Sequence, residues 1–438
     1  MATTEAPAAE GPVAQSMQSP TAAQSVAVIN NDWAPTLAFA VSLGRRGVPL
    51  HFYGSGAGRW SRYCKRRGAC PPVSEASRFL PWLRSRVKAG EITRLAPTTD
   101  LIAYYLAVLR DEFPAEVRRA ITPLPEIEQC LIKTRFATAC EKAGQLVPAQ
   151  AAPDNLEAAI TSARALGYPL IIKPKSHLVV GTSQRGQLVH DEADLRRAYR
   201  QYPVAPGQEP LAADYPELRW PLLQHYVPSA RRCVYSISGI KDAETGMVSS
   251  LLTVKQSQWP PDIGVSTVQK VCNDQPILDA GLKTVDRLIS RGIFELEVVL
   301  DGDSLVAIDL NPRAFGFIFL DMAVGNDLPW LWWQTTLGAT KPLPMPTERF
   351  AMECRFVVPY YFDRTIQKLF GPSLPNSDPD AGRASKSWIS MLGHLDDPLP
   401  MLLANLRLLR LLPHPGGLLR PFLAAARKAR RVASAPAR

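Results

Sequence analysis

The sequence predicts an α/β protein that passes into an α+β body, and three observations carry that prediction. The first patterned segment alternates strand, helix and strand. The middle of the chain holds a succession of antiparallel-looking strands, and two acid-bearing apolar strands close it through a short polar turn. A chain of 438 residues predicts roughly two to four domains, and 46% apolar residues are ample for their cores. No charge-free stretch is long enough to span a bilayer. The most apolar region, 315–337, is broken by Asp321, Asp327 and Pro329 and reads as a buried segment.

Taken in order, residues 1–24 are rich in Ala, Pro, Ser, Thr and Gln, with neither a basic start nor an apolar run, and read as a disordered leader. Ser25 to Asn30 reads as a buried parallel strand, 34–46 as an apolar-periodic helix stopped by Gly47, and Val48 to Tyr53 as a second strand. This order predicts a right-handed βαβ unit, continued by helical patterns at 75–88 and 100–112 to residue 122. The loop after the first strand is Asn30-Asn31-Asp32-Trp33 rather than GxGxxG, so a nicotinamide dehydrogenase loses its main support. From Pro123 onward, helices at 133–143 and 155–166 lead to a strand at 169–174, a Gly/Ser/Thr loop at 181–186 and another strand. A proline-rich stretch, 202–220, precedes a strand at 221–228 and the antiparallel series. No internal repeat is visible.

Composition narrows the partners. Seven scattered cysteines without a CxxC pair argue against a disulfide framework or a zinc site and for a reducing, cytoplasmic location. The net charge is +10, but residues 401–438 hold eight Arg or Lys and no acid, which leaves 10 − 8 = +2 for the rest. With no aromatic interleaving or binding motif behind that basicity, nucleic acid is not an expected partner.

The chemistry concentrates in the closing hairpin. Glu297 lies in the apolar strand Phe294-Glu-Leu-Glu-Val-Val-Leu300, Asp301-Gly302-Asp303 makes the turn, and Ser304 to Asn311 runs back beside it. Asp309 and Asn311 alternate along that strand and share a face. Two carboxylates and an amide oxygen are hard ligands that suit Mg²⁺. The other reading is a solvated hairpin with ordinary surface charges. Against it, these acids lie inside apolar strands, where an unpaired charge is costly.

A carboxylate, a hairpin and then Asp309-Leu310-Asn311-Pro312-Arg313 resemble the ATP-grasp superfamily, especially its carboxylate–amine ligase branch. That branch shows E-x-N-P-R here, so Asp309 stands where Glu is usual. Upstream elements match in the family's order: Lys133 at a helix start, Ile171-Ile172-Lys173-Pro174 at a strand end, a loop from Gly181 through Thr182 and Ser183 to Gly186, and the hinge Gln224-His225-Tyr226-Val227, with His225 in place of a usual Glu.

The resemblance implies a Rossmann-like pre-ATP-grasp domain at 25–122, a two-subdomain ATP-grasp fold at 123–340 and a helical C-terminal extension at 341–438. It implies ATP and Mg²⁺ as cofactors, with two ions expected and Mn²⁺ as an alternative. Glu297, Asp309 and Asn311 would hold the metal. Lys133, Lys173, the 181–186 loop and the hinge would hold the nucleotide, and Arg313 with Lys173 would act in catalysis. The implied reaction activates a small carboxylate as an acyl phosphate and joins it to an amine. The alternative is a non-ligating ATP-binding regulatory or membrane-peripheral protein on the same scaffold. Arg231, Arg232, Lys255 and Arg287 read as solvated strand charges or, in the second place, as substrate contacts. The segment Lys255 to Gly264 resembles a substrate-side loop, in which Trp259 either walls a pocket or packs. In the tail, a helical pattern at 400–431 sets Leu402, Leu403, Leu406, Leu409 and Leu412 on one side, and Arg407 and Arg410 on the other. Such a basic amphipathic element either docks on its own protein or lies on an anionic membrane.

Overall fold

An unbroken apolar run commits Val26–Ile29 (β1) to a strand buried at every residue, as a parallel strand covered on both faces must be. In the computed structural model, which describes residues 24–181, 186–231, 234–259, 264–338, 352–361 and 387–409, β1 pairs in parallel with β2 (Leu50–Tyr53), and β2 with β3 (Cys64–Gly68). The helix Ala34–Arg45 crosses between β1 and β2, its first turn pre-set by Pro35. The next predicted helices stand at Ala76–Lys88 and Asp100–Val108. Thr99 caps the second by accepting from the Ile102 amide, and a 3-10 turn at Arg110–Glu112 takes the remainder of the expected span.

A second sheet is antiparallel, in the order β4-β7-β5-β6, from β4 (Gln150–Ala151), β5 (Leu170–Pro174), β6 (Gln187–Val189) and β7 (Pro221–His225). The helix Leu156–Leu166 packs on it, capped by Asn155 through the Ala158 amide, while the helix Lys133–Lys142 packs on the large sheet through Phe136 and Cys140. The strand expected at 221–228 stops at His225 because Pro228 opens a 3-10 turn, Pro228–Arg231, and so Tyr226 and Val227 leave the sheet. The proline-rich stretch holds the short helix Glu209–Asp214 and a 3-10 turn at Pro216–Arg219.

The largest sheet runs β12-β11-β8-β9-β10-β13-β14 and comprises β8 (Val234–Asp242), β9 (Met247–Trp259), β10 (Val265–Val271), β11 (Gly292–Asp301), β12 (Ser304–Asn311), β13 (Glu353–Arg355) and β14 (Trp388–Ser390). The segment expected as a loop from Lys255 is therefore strand as far as Trp259. Lys255 and Ser257 lie opposite Gln269 and Val268 on β10, and this ladder satisfies backbone groups that a loop would leave to water. The Trp259 side chain and residues 260–263 fall outside the described residues, as do residues 1–23, Thr182, Ser183, Arg232 and everything beyond 409. Two strands, β13 and β14, come from beyond residue 341 and extend this sheet.

The β11–β12 hairpin turns at Gly302, whose φ of +58° is open to glycine at little cost. Its register is regular from Asp301 opposite Ser304 to Val298 opposite Ala307 and then slips by one residue, so Glu297 faces Asp309 and Glu295 faces Asn311. Ile308 is the extra residue of a β-bulge. In an unbulged hairpin Glu297 would face Ile308, and Asp309 would oppose Leu296 on the side of the sheet that builds the core.

The C-terminal helix Pro398–Leu409 departs in part from the expected polarity. Leu403 packs on the core, but Leu402 and Leu406 are 54% and 45% exposed, and the half-exposed Arg407 lies 2.7 and 2.8 Å from the two oxygens of Asp32. The buried positions on this helix are the small residues Pro400 and Ala404, which allow close approach and leave the ion pair to set the helix's rotation.

Polar fasteners bind the N-terminal α/β unit to the large sheet and to the helix Leu328–Thr335. Arg119 reaches the fully buried Asp242 at 2.8 Å, and Arg94 donates to Thr336 at 2.9 Å. Asp327 has the most partners: it caps the helix Leu328–Thr335 through the Trp330 amide and accepts from Ser42 Oγ at 2.5 Å and Arg46 at 2.8 Å. Asp327→Ala should lower stability by about 2 kcal/mol, about half from the lost cap and half from the stranded Ser42 and Arg46 groups. Asp327→Asn, which keeps an acceptor, should lose less. Urea unfolding checks both, and an unshifted midpoint in the alanine variant would refute the role.

Candidate active site

A cavity of about 440 Å³ is lined by both the β4–β7 sheet and the large sheet. Local structure accounts for each wall. Lys173 is the penultimate residue of β5. Gln224 and His225 end β7, and Tyr226 and Val227 follow where Pro228 turns the chain away. Lys133 begins its helix and is anchored there by its backbone amide, which donates to the Lys175 carbonyl. Glu297, Asp309 and Asn311 share the bulged face of the β11–β12 hairpin, and Arg313 follows.

The cavity collects Lys133, Lys173, Gly186, Gln224, His225, Tyr226, Val227, Glu297, Asp309, Asn311 and Arg313 on its walls. Gly181 is not among the lining residues. One of the cations expected on the surface needs correction. Lys255 is only 10% exposed, and its ammonium lies 3.3 Å from Glu297, because β9 continues past it into the sheet. Arg231 is exposed, as expected, and donates to the Tyr226 hydroxyl at 2.9 Å. Arg287, by contrast, bonds the Ala143 carbonyl well away from the cavity.

Three titratable wall residues escaped the sequence reading. Glu295 alternates with Glu297 and accepts from Asn311 Nδ2 at 3.2 Å; period-two spacing alone would have found it. Asp100, from the α/β unit, accepts from Arg313 Nε at 2.7 Å, a contact without any local sequence signal. His177 presents a buried Nδ1 with no hydrogen-bond partner among the described residues. Trp33, in the loop that replaces the glycine motif, also reaches the wall.

The charges interlock. Lys133 pairs with Asp309, Lys255 with Glu297, and Arg313 with Asp100, while the Arg313 fork also donates to Asn311 Oδ1 at 3.0 Å. Lys173 instead donates to the neutral Gln224 Oε1 at 2.9 Å. Burial, with Lys133 nearby, pushes its ammonium down to about 8. Burial pushes Glu295 up to about 8, and Glu297 beside it adds to the effect. Burial also disfavours the Asp309 carboxylate, but Lys133, Lys173 and Arg313 outweigh that and hold it below its ordinary value. Among the described residues no three His, Cys, Asp or Glu side chains form a metal cluster, so an oxygen-ligand site here needs the Asn311 amide besides the acids. No helix among those residues is long and apolar enough to cross a membrane.

No family model matches the chain. It is 24% identical over 279 residues to the carbamoyl phosphate synthase large chain of Vibrio parahaemolyticus, covering 61% of this chain and 23% of that one. Against the same protein of Pseudomonas aeruginosa it is 22% identical over 280 residues, with coverage of 61% and 23%. The chain thus spans under a quarter of the length of these curated relatives. In structure it is similar to a biotin carboxylase–β,γ-ATP complex from Campylobacter jejuni, with a TM-score of 0.57 at 15% identity over 73% of each chain. It is also similar to an L-amino acid ligase from Bacillus licheniformis, with a TM-score of 0.52 at 15% identity over 71% of this chain and 74% of that one. These likenesses in sequence and fold agree with the order of motifs from Lys133 to Arg313.

Proposed function

We propose that the chain is an ATP-dependent carboxylate–amine ligase. In this reading the γ-phosphate of ATP passes to a substrate carboxylate, and an amine then displaces phosphate from the acyl phosphate, releasing ADP and phosphate. The observation that supports it is the meeting, in one cavity, of a hinge segment, two lysines and the Glu297–Asp309–Asn311 face.

Each group has a physical task in that reaction. Gln224 to Val227 offer hydrogen bonds to adenine, and Ile171 and Ile308 supply apolar faces for it. Lys133 and Lys173 neutralise phosphates. Lys173 is the better poised of the two, because its present partner is a neutral amide. The donor set of Glu297, Asp309 and Asn311 fits Mg²⁺, as two ions or with Mn²⁺ in its place, and the metal would supply charge neutralisation for in-line phosphoryl transfer. Arg313, oriented by Asp100 and Asn311, presents a fixed cation to the transferring phosphoryl group or the tetrahedral oxyanion. Acyl phosphates are destroyed by water, and the resemblance gives the 181–186 loop the task of covering them. The free thiols at Cys64, Cys70, Cys130, Cys140, Cys272 and Cys354 suit a cytoplasmic location.

Lys173 gives the reading a pH signature. Its ammonium is fully present below about 8 and is lost as pH rises through that value, whereas bound phosphate raises its pKa. Nucleotide affinity should therefore weaken up to about tenfold per pH unit above 8, with proton uptake on binding. Calorimetry of ADP binding in two buffers of different ionisation enthalpy checks this, and the slope should vanish in Lys173→Met. An equal slope in both proteins would remove Lys173 from the phosphate site.

Ligation itself predicts that ADP forms only when a carboxylic acid and an amine are supplied together, and that Asn311→Ala reduces turnover by about 100-fold or more. Phosphate release across paired acids and amines measures both. ATP binding without turnover in any mixture would instead favour a non-ligating nucleotide-binding protein.

A further inference from the structure

ATP has one apolar group to bury, its adenine, yet the cavity has two apolar ends. At the first, Ile308 packs with Val227, Val234 and Ala230 beside the hinge. β12 then leads through Asp309 and Asn311 to Arg313, and the chain emerges at Gly316 and Phe317. There a second wall forms from Phe317 and Met391, with Trp33 and Val265 packed against them, all in a core cluster separate from the first. Gly316 is its floor: a Cβ at that position would lie 2.5 Å from Met391 Cε and 3.2 Å from Trp33 Cζ2, so both side chains close directly over the bare backbone.

The wall is held in place from several directions. The Trp33 amide donates to Asn31 Oδ1 at 2.9 Å, and its ring meets Phe356 edge-on at 5.8 Å. Polar groups bordering the wall are already engaged. Lys255 pairs with Glu297, Arg313 with Asp100, and Ser266 Oγ donates to the Val268 carbonyl at 3.0 Å. A charged substituent placed against Trp33, Phe317 and Met391 would face apolar side chains and lose its hydration. An apolar one would lose nothing by entering.

We propose, resting on the ligase reading above, that the carboxylic acid substrate carries a bulky apolar side chain, branched aliphatic or aromatic, seated against Trp33, Val265, Phe317 and Met391 over Gly316. Its carboxylate then points back along β12 toward Arg313 and the phosphates. The wall thereby joins distant parts of the chain, since Trp33 follows β1 and Met391 follows β14.

The test supplies the full chain with ATP, Mg²⁺ and hydroxylamine, which traps acyl phosphates as hydroxamates whatever the natural amine. The acids are leucine, phenylalanine, glycine, glutamate, lysine and bicarbonate. The expected result is hydroxamate formation with kcat/KM at least about tenfold higher for leucine or phenylalanine than for the others. Gly316→Ala should raise KM for the preferred acid about tenfold or more while leaving KM for ATP unchanged, because the added methyl drives Met391 into the wall. Met391→Ala should shift preference toward the larger acid. Preference for glutamate, lysine, glycine or bicarbonate would overturn this inference and leave the ligase reading standing. No hydroxamate with any acid, in a protein that binds ATP, would overturn both.

Discussion

One inserted residue, Ile308, decides which way the acids of β12 point, and most of the cavity's polar structure follows from that. Strands alternate faces with a period of two, so a slip of one residue moves a whole set of side chains from one side of a sheet to the other. The bulge uses that rule locally. On the turn side of Ile308 the hairpin pairs regularly; beyond it, Glu297 meets Asp309 and Glu295 meets Asn311 on the cavity face. Asp309 then engages Lys133 at the start of its helix. Asn311 links Glu295 to Arg313, and Arg313 engages Asp100 in the α/β unit. Contacts that reach three parts of the chain thus radiate from one irregular strand.

The cluster assembled this way contains four acids, Asp100, Glu295, Glu297 and Asp309, and four cations, Lys133, Lys173, Lys255 and Arg313. Buried ion pairs return little net stability, since desolvation offsets their mutual attraction. A core of leucines would hold these sheets together at least as well. Such a concentration of paired charge is more economically explained by a polyanion and its counter-cations that exchange partners with it. Lys173, which holds a neutral amide while burial presses it toward the uncharged form, marks where negative charge is most wanted.

Much of this was legible in the sequence, for reasons that are local. Val26–Ile29, Ala34–Arg45 and Leu170–Pro174 follow from runs of apolar residues and from the proline or glycine that bounds them. The Glu297–Asp309–Asn311 set stood out as acids and an amide at alternating positions inside apolar strands, whereas Lys133 and Lys173 came forward only through the resemblance to the ATP-grasp order of motifs. The bulge did not show, because register slips depend on what a strand packs against rather than on its own pattern. Asp100 and Lys255 were hidden for a related reason: their partners, Arg313 and Glu297, are distant in sequence, and an exposed-looking charge becomes a wall residue only when another strand covers it. The tail helix shows the same limit. Its leucine stripe implied the packed side, yet pairing of Arg407 with Asp32 turns part of that stripe outward.

The contact between Arg407 and Asp32 also ties the two ends of the described chain to the cavity's outer wall. Asp32 accepts from the Ala57 amide at 2.6 Å as well as from Arg407, and it directly precedes Trp33. Asp397, just before the tail helix, accepts from Ser61 Oγ at 2.5 Å on the α/β unit. The loop that lacks a glycine-rich phosphate motif is therefore not idle: it is braced by side-chain hydrogen bonds, and it presents an indole where a dinucleotide fold would present bare backbone. The apolar wall draws Trp33 and Met391 from distant parts of the chain onto Val265, Gly316 and Phe317 of the middle. Substitutions near either end can reshape that wall without touching Lys133, Lys173 or the acids of β11 and β12, which leaves the two halves of the cavity free to vary separately.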